Sequence, residues 1–454
     1  MKELDLTQGS VPKVLLQFAV PFLIANVLQA LYGGADLFVV GQYDDSASVA
    51  AVAIGSQVMQ TITGIILGIT TGTTVLIAIA TGAKDNRKVA FTIGSSVWLF
   101  SITGVVLTLV MVLFHGRIAE LMHTPVEAMA DTKSYILVCS LGILFIVGYN
   151  VVCGILRGLG DSKTPLYFVG LACVINIVLD FILVGYFHWG ATGAAIATVT
   201  AQGVSFGIAL WFLYRHGFHF DFSRKDIRLN RNLSKKILVL GAPIALQDAL
   251  INVSFLIITV IVNQMGVIAS ASLGVVEKII VFAMLPPMAI SSAVATMTAQ
   301  NYGAGLIKRM NKCLASGIGI ALVFGVSVCV YSQFLPETLT AFFTKDAAVV
   351  AMAAKYLRGY SIDCIVVSFV FCINSYFSGQ GNSLFPMIHS LIATFLFRIP
   401  LSYWFSQMDS SSLFIMGFAP PISTVVSLLI CIWYLRYTQR KLYLRGTLMP
   451  AMSN

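Results

Sequence analysis

Apolar stretches of about twenty or more residues recur about twelve times along this chain, and each is long enough to cross the ~30 Å hydrocarbon core of a bilayer as a helix. In hydrocarbon every backbone N–H and C=O must be paired internally, so each run pairs its own backbone as a helix. The expectation is an all-α polytopic membrane protein of about 12 transmembrane helices. The spans read as 14–40, 47–80, 91–114, 134–156, 166–187, 191–214, 237–264, 269–300, 313–334, 351–377, 385–407 and 414–436. With 58% of the 454 residues hydrophobic and only 10% charged, a soluble domain of this size is excluded. The polar opening, MKELDLTQGSVPK, has no short apolar core or cleavage site, so no removable signal peptide is expected.

The basic residues set the orientation. Lys2, Lys13, Lys84, Arg87, Lys88, Arg157, Lys163, the cluster from Arg215 to Lys236, Lys308, Arg309, Lys312 and those from Arg436 to Arg445 fall on one side of the weave. Only Arg117, Lys133, Lys345, Lys355 and Arg358 fall on the other. The positive-inside rule then places both termini in the cytoplasm; the expected location is a plasma membrane, of bacterial inner-membrane type. The net charge of +9 thus serves topology and contact with anionic lipid, not nucleic acid. Eight cysteines are scattered through apolar runs without a C-x-x-C pair, so neither disulfides nor a cysteine metal site is expected. Gly158-x-Gly160 has no preceding strand and no Walker lysine–hydroxyl pair after it, which argues against a nucleotide site. No catalytic triad or paired-carboxylate site is recognisable; an enzyme is not expected, nor is a cofactor beyond a coupling ion.

The polar segment 215–236 divides the chain into repeats, 1–214 and 237–454. Gly158-Leu159-Gly160-Asp161 with Pro165 matches Gly379-Gln380-Gly381-Asn382 with Pro386 at an offset of 221. The same offset carries Gly82-Ala83 to Gly303-Ala304 and Arg87-Lys88 to Lys308-Arg309, while Pro21 and Pro243 match one residue off. Six spans per repeat is an even number, so both halves enter from the same side and form two pseudo-symmetric six-helix bundles around a central cleft.

Five acids lie inside spans, Asp36, Asp180, Asp248, Glu277 and Asp363, with two bases, Lys278 and Arg398. The first half has two acids and no intramembrane base, and a buried carboxylate without a basic partner must protonate or hold a cation. Asn176 and Asp180 share a helix face at i, i+4. At 1.5 Å per residue, Asp36, Asp180 and Thr198 all lie within ~12 Å of the outer ends of their spans, with Asn176 one turn deeper. These four oxygen-bearing groups suit Na⁺, or protons shared between acids. Singly satisfied acids that only fix packing are the plainer alternative. Glu277 and Arg398, at similar depth, form either a structural or a functional ion pair; Asp248 and Asp363 either line the cleft and attract cationic substrate or are structural.

With these residues in view, the chain resembles the multidrug and toxic compound extrusion (MATE) family. The resemblance is carried by Ala19-Val20-Pro21, Asp36 before Phe38-Val39-Val40-Gly41, Arg157-Gly-Leu-Gly-Asp161 with Pro165, and Gly193-Ala-Ala-Ile-Ala-Thr198. Gln300-Asn-Tyr-Gly-Ala304 and Gly379-Gln-Gly-Asn382 echo it in the second half. It implies an antiporter that expels small organic, often cationic, compounds by alternating access, coupled to Na⁺ or H⁺. The family's coupling set maps onto Asp36, Asn176, Asp180 and Thr198. One branch also places acids on the seventh and tenth helices; alignment on Pro243 and Gly379 puts Ile251 and Val367 there, with Asp248 and Asp363 about one turn earlier. A flippase or exporter of lipid-linked or polysaccharide substrates is the alternative.

Overall fold

The structure, a computed structural model, describes residues 4–408 and 413–448. Lys2 lies outside the described residues, as do the side chains of Arg224, Lys441 and Arg445. The described residues contain helices and no strand. In order these are α1 (Val11–Tyr43), α2 (Ser46–Gly82), α3 (Asn86–Leu121), α4 (Met129–Leu141), α5 (Ile143–Leu159), α6 (Lys163–Asp180), α7 (Gly190–His216) and α8 (Arg231–Asn263). Then come α9 (Val267–Gly303), α10 (Ile307–Phe334), α11 (Pro336–Ala341), α12 (Ala347–Gly379), α13 (Leu384–Leu391), α14 (Ile399–Met408) and α15 (Ala419–Leu448). A π-helical stretch, Phe181–Tyr186, continues α6, and another, Ile392–Arg398, joins α13 to α14. Among the described residues 11 helices are long and apolar enough to cross a membrane, or up to 12 with the bent pair α4–α5. That pair, read as one span over 134–156, bends by 49°. Gly142 stands at the break, where an added Cβ would come within 2.6 Å of Val199.

Local chemistry explains where helices begin and end. Asp45 and Asp85 accept the backbone N–H of Ser48 and Lys88 at 2.9 and 3.0 Å, satisfying exposed donors at the starts of α2 and α3. Asp161 does the same for Lys163 and Thr164 before α6. Gly160 closes α5 at φ 98°, a left-handed conformation that glycine adopts without a Cβ penalty.

The chain divides into two units. The first comprises Met1–Ala249 with returns at Thr296–Met310 and Gly379–Gly381. Its core runs through α2, α3, α4, α5 and α7, with Ile66, Ile93, Phe100, Ile136, Ile143 and Ala194 fully or nearly fully buried. Against this core, α6 packs on both α1 and α7. The start of α8 joins the unit because glycines let backbones meet: a Cβ on Gly68 would stand 2.6 Å from Ala245. Within the same unit the ends of α2 and α9 cross reciprocally. A Cβ on Gly82 would strike Gln300, and one on Gly303 would strike Ile79. Since 79 and 300, like 82 and 303, are 221 apart, this is a contact between equivalent positions, the pattern a local two-fold produces.

The second unit comprises Leu250–Ala295, Asn311–Ser378 and Asn382–Asn454. Ile258, Val262, Leu273, Val276, Tyr356, Leu357 and Tyr360 make up much of its core.

Candidate cation site on α1, α6 and α7

The meeting of α1, α6 and α7 gathers the four residues of the first half. Asp36, Asn176 and Asp180 are 3%, 0% and 0% exposed. The Thr198 hydroxyl donates to Asp36 Oδ2 at 3.2 Å and accepts from Asn176 Nδ2 at 3.4 Å. The carboxyls of Asp36 and Asp180 face each other. As two carboxylates they have no donor to share, so no hydrogen bond joins them. Asp36 Oδ1, Asn176 Oδ1 and both Asp180 oxygens are buried without a hydrogen-bond partner.

That inventory distinguishes the roles of the four residues. Four buried acceptors on these three residues have no donor, which costs folding free energy unless a proton or a hard cation satisfies them. Thr198 is different: its hydroxyl donates to Asp36 and accepts from Asn176, so it holds the two in place. The π-helical stretch begins immediately after Asp180. Such stretches divert the i→i−4 ladder and occur often at functional sites.

Two further residues belong to this region. Tyr32 lies one turn before Asp36 on α1, and Gln202 one turn after Thr198 on α7. The Tyr32 hydroxyl faces Thr198 and Gln202 without a well-formed hydrogen bond, and Gln202 Oε1 is likewise unpartnered. Both line a small chamber with Gln29, Tyr149, Val169, Ala172 and Cys173. Their signal in the sequence is the same i, i+4 spacing that exposes Asn176 and Asp180, but neither carries a charge at neutral pH.

The remaining candidates are not gathered into that cluster. Asp248 stands on an exposed face of α8 in the first unit. Glu277, Asp363 and Arg398 lie in the second unit. Glu277 and Arg398 do not form the expected contact pair: among the described residues the ion pair within 4.0 Å is Lys133–Glu120. The Arg398 guanidinium instead sits over the Phe255 ring, 4.3 Å from its centroid. Equal depth left rotation about each helix axis undetermined, and an aromatic face takes the guanidinium.

Fold and site together define the class: a polytopic membrane transporter. The family model described as MatE matches residues 21–182 and again 243–404, and the chain belongs to that family. The two matches, displaced by 222 residues, cover the two repeats. The chain is 28% identical over 407 residues to the "Probable multidrug resistance protein YpnP" of Bacillus subtilis, covering 89% of this chain and 91% of that one. It is 27% identical over 402 residues to the "Probable multidrug resistance protein NorM" of Thermotoga maritima, covering 86% and 85%. The solved "Outward-facing conformation of a multidrug resistance MATE family transporter of the MOP superfamily" shares the fold at a TM-score of 0.91 and 23% identity. That match covers 97% of this chain and 99% of that structure.

Proposed function

We propose that this transporter is a cation-coupled multidrug efflux antiporter of the plasma membrane, with both termini cytoplasmic. The lobes 1–214 and 237–454, joined by the basic linker 215–236, alternate access to small organic compounds. One observation carries the coupling: the four donor-free oxygens of Asp36, Asn176 and Asp180, buried on two helices with no base among them. Na⁺ or H⁺ entering there neutralises the carboxylates, and its departure restores a repulsive pair. Substrate and cation therefore favour different conformations, which is what antiport requires. The names of the relatives, multidrug resistance proteins, support the substrate class.

The test uses purified protein in liposomes loaded with a fluorescent organic cation. A Na⁺ gradient is imposed at equal pH, then a pH gradient without Na⁺. Efflux under one gradient, lost in Asp180→Asn with insertion intact, is the expected result. Wild-type coupled efflux by Asp180→Asn overturns the site, and no efflux under either gradient turns the reading to a flippase of lipid-linked substrates.

A further inference from the structure

The second unit contains a charged cluster to which the coupling reaction assigns no role. Arg398 Nε is buried and has no hydrogen-bond partner. Its guanidinium lies face-on to Phe255, and no carboxylate of the described residues comes within 4.0 Å of it. Asp363, only 5% exposed, has an unpartnered Oδ1. Arg398 is nonetheless the positive charge in the electrostatic surroundings of Asp363, Tyr356 and Tyr360, and shares that of Glu277 with Lys278. A purely structural arginine in a dry interior closes onto its carboxylates; this one is held beside them, with an acceptor and a donor both unspent.

The repeat gives this position meaning. Pro165 and Pro386 are 221 residues apart, yet α13 runs into a π-helical stretch, Ile392–Arg398, where the first repeat is still α-helical. A π-turn accommodates one extra residue, so beyond it the offset becomes 222, the displacement at which the two family matches end (182 and 404). Asn176 then corresponds to Arg398, and Asp180 to Ser402. The place that carries an amide and a carboxylate in the first repeat carries a guanidinium and a buried hydroxyl in the second. The duplicated site has been kept with its polarity changed.

We infer that the second unit holds a substrate subsite in which Arg398 binds the carboxylate of an amphoteric organic compound and Asp363 accepts a hydrogen bond from its donor group. The Nε–H edge of a guanidinium is one of the edges that grips a carboxylate through two parallel bonds, and Phe255 occupies the face, leaving edges for ligand. Phe255 supplies an aromatic wall beside the guanidinium. The inference deepens the efflux reading, on which it rests for the supply of small organic ligands.

The test is binding without any gradient, so that its failure is distinct from failure of transport. The full chain in nanodiscs is titrated with a fluorescent xanthene amine bearing a free carboxylate, and in parallel with its ethyl ester, by fluorescence polarisation at fixed pH. Arg398→Gln is expected to weaken the acid at least tenfold and the ester less than twofold. Arg398→Lys keeps the charge but loses the fork, and falls between. Asp363→Asn weakens both probes, since both keep the amine. Ester binding in the same preparation certifies the fold of Arg398→Gln. Equal weakening of both probes by Arg398→Gln, or no change in either, overturns the subsite.

Discussion

Thr198→Val tests whether the proposed cation cluster is divided into ligands and a support. Valine matches threonine in shape, so packing is preserved while the bond to Asp36 Oδ2 and the acceptor for Asn176 Nδ2 are lost. A bond to a charged group contributes roughly 1.5–3 kcal/mol net, and a buried atom left unpaired costs about as much. Most of that sum is common to the empty and the loaded site, because the Thr198–Asp36 bond leaves Asp36 Oδ1 free in either, and it therefore appears as lower stability. What remains is positional: Asp36 and Asn176 lose the atom that fixes their distance. A residual of about 1.4 kcal/mol is a tenfold weaker cation affinity. The assay is the cation concentration for half-maximal efflux from liposomes, with Thr198→Ser as the variant that restores the hydroxyl. Coupling that survives with a half-maximal concentration raised about tenfold, and recovers in the serine variant, is the expected outcome. A valine variant as inactive as Asp180→Asn makes Thr198 a direct ligand and refutes the division; an unchanged one refutes the support.

Four other substitutions probe the framework. Arg309→Ala removes a guanidinium that donates to the carbonyls of Leu6, Gln8 and Gly9, where Leu6 is fully buried; losing about 2 kcal/mol of restraint should raise the rate of limited proteolysis within residues 4–10 by an order of magnitude, and an unchanged rate counts against the clamp. Gly82→Val, meeting the Gln300 backbone, is expected to cost about 1–3 kcal/mol of stability, whereas Gly207→Ala, with open space around its Cβ, is neutral or stabilising by up to about 1 kcal/mol. Thermal unfolding in detergent compares them, and equal melting temperatures would refute the crossing. His389→Leu leaves Asn374 Oδ1 and the Ser427 hydroxyl without their 2.8 Å partner inside the second unit, so a loss of about 2–3 kcal/mol is expected by the same assay, and a melting temperature equal to wild type refutes it.

The spans were legible because hydrocarbon imposes one length on every helix and one composition on its surface. The buried polar cluster was legible for a related reason: carboxylates are so costly in a membrane that Asp36 and Asp180 stand out, and the i, i+4 rule adds Asn176. Tyr32 and Gln202 obey the same spacing but carry no charge, so the cost argument passes over them. The 49° break at Gly142 was hidden because an apolar run of the right length reads the same straight or bent. The π-helical stretches were hidden more deeply. Whether a carbonyl bonds four or five residues on depends on what packs against that turn, and a fixed offset of 221 aligns Asn176 with Phe397 rather than Arg398. The supposed Glu277–Arg398 pair came from depth alone, which fixes height along a helix and leaves azimuth free.

The two polar clusters also make a joint prediction that neither makes separately. If cation at Asp36 and Asp180 and anionic ligand at Arg398 act on one conformational equilibrium, each must change the other's affinity by the same factor, because the cycle of binding steps closes. The factor is measurable twice: as the ratio of carboxylate-probe affinities at zero and saturating cation, and as the ratio of cation affinities at zero and saturating probe. Antiport predicts a weakening in both directions, by about 5–150-fold for a coupling of 1–3 kcal/mol. Asp180→Asn should reduce the ratio to one while leaving probe affinity at zero cation within the range of the two conformations. A probe affinity indifferent to cation in the wild-type protein would mean that the clusters bias no common equilibrium, and the coupled reading of this transporter would fall even if each cluster bound its own ligand.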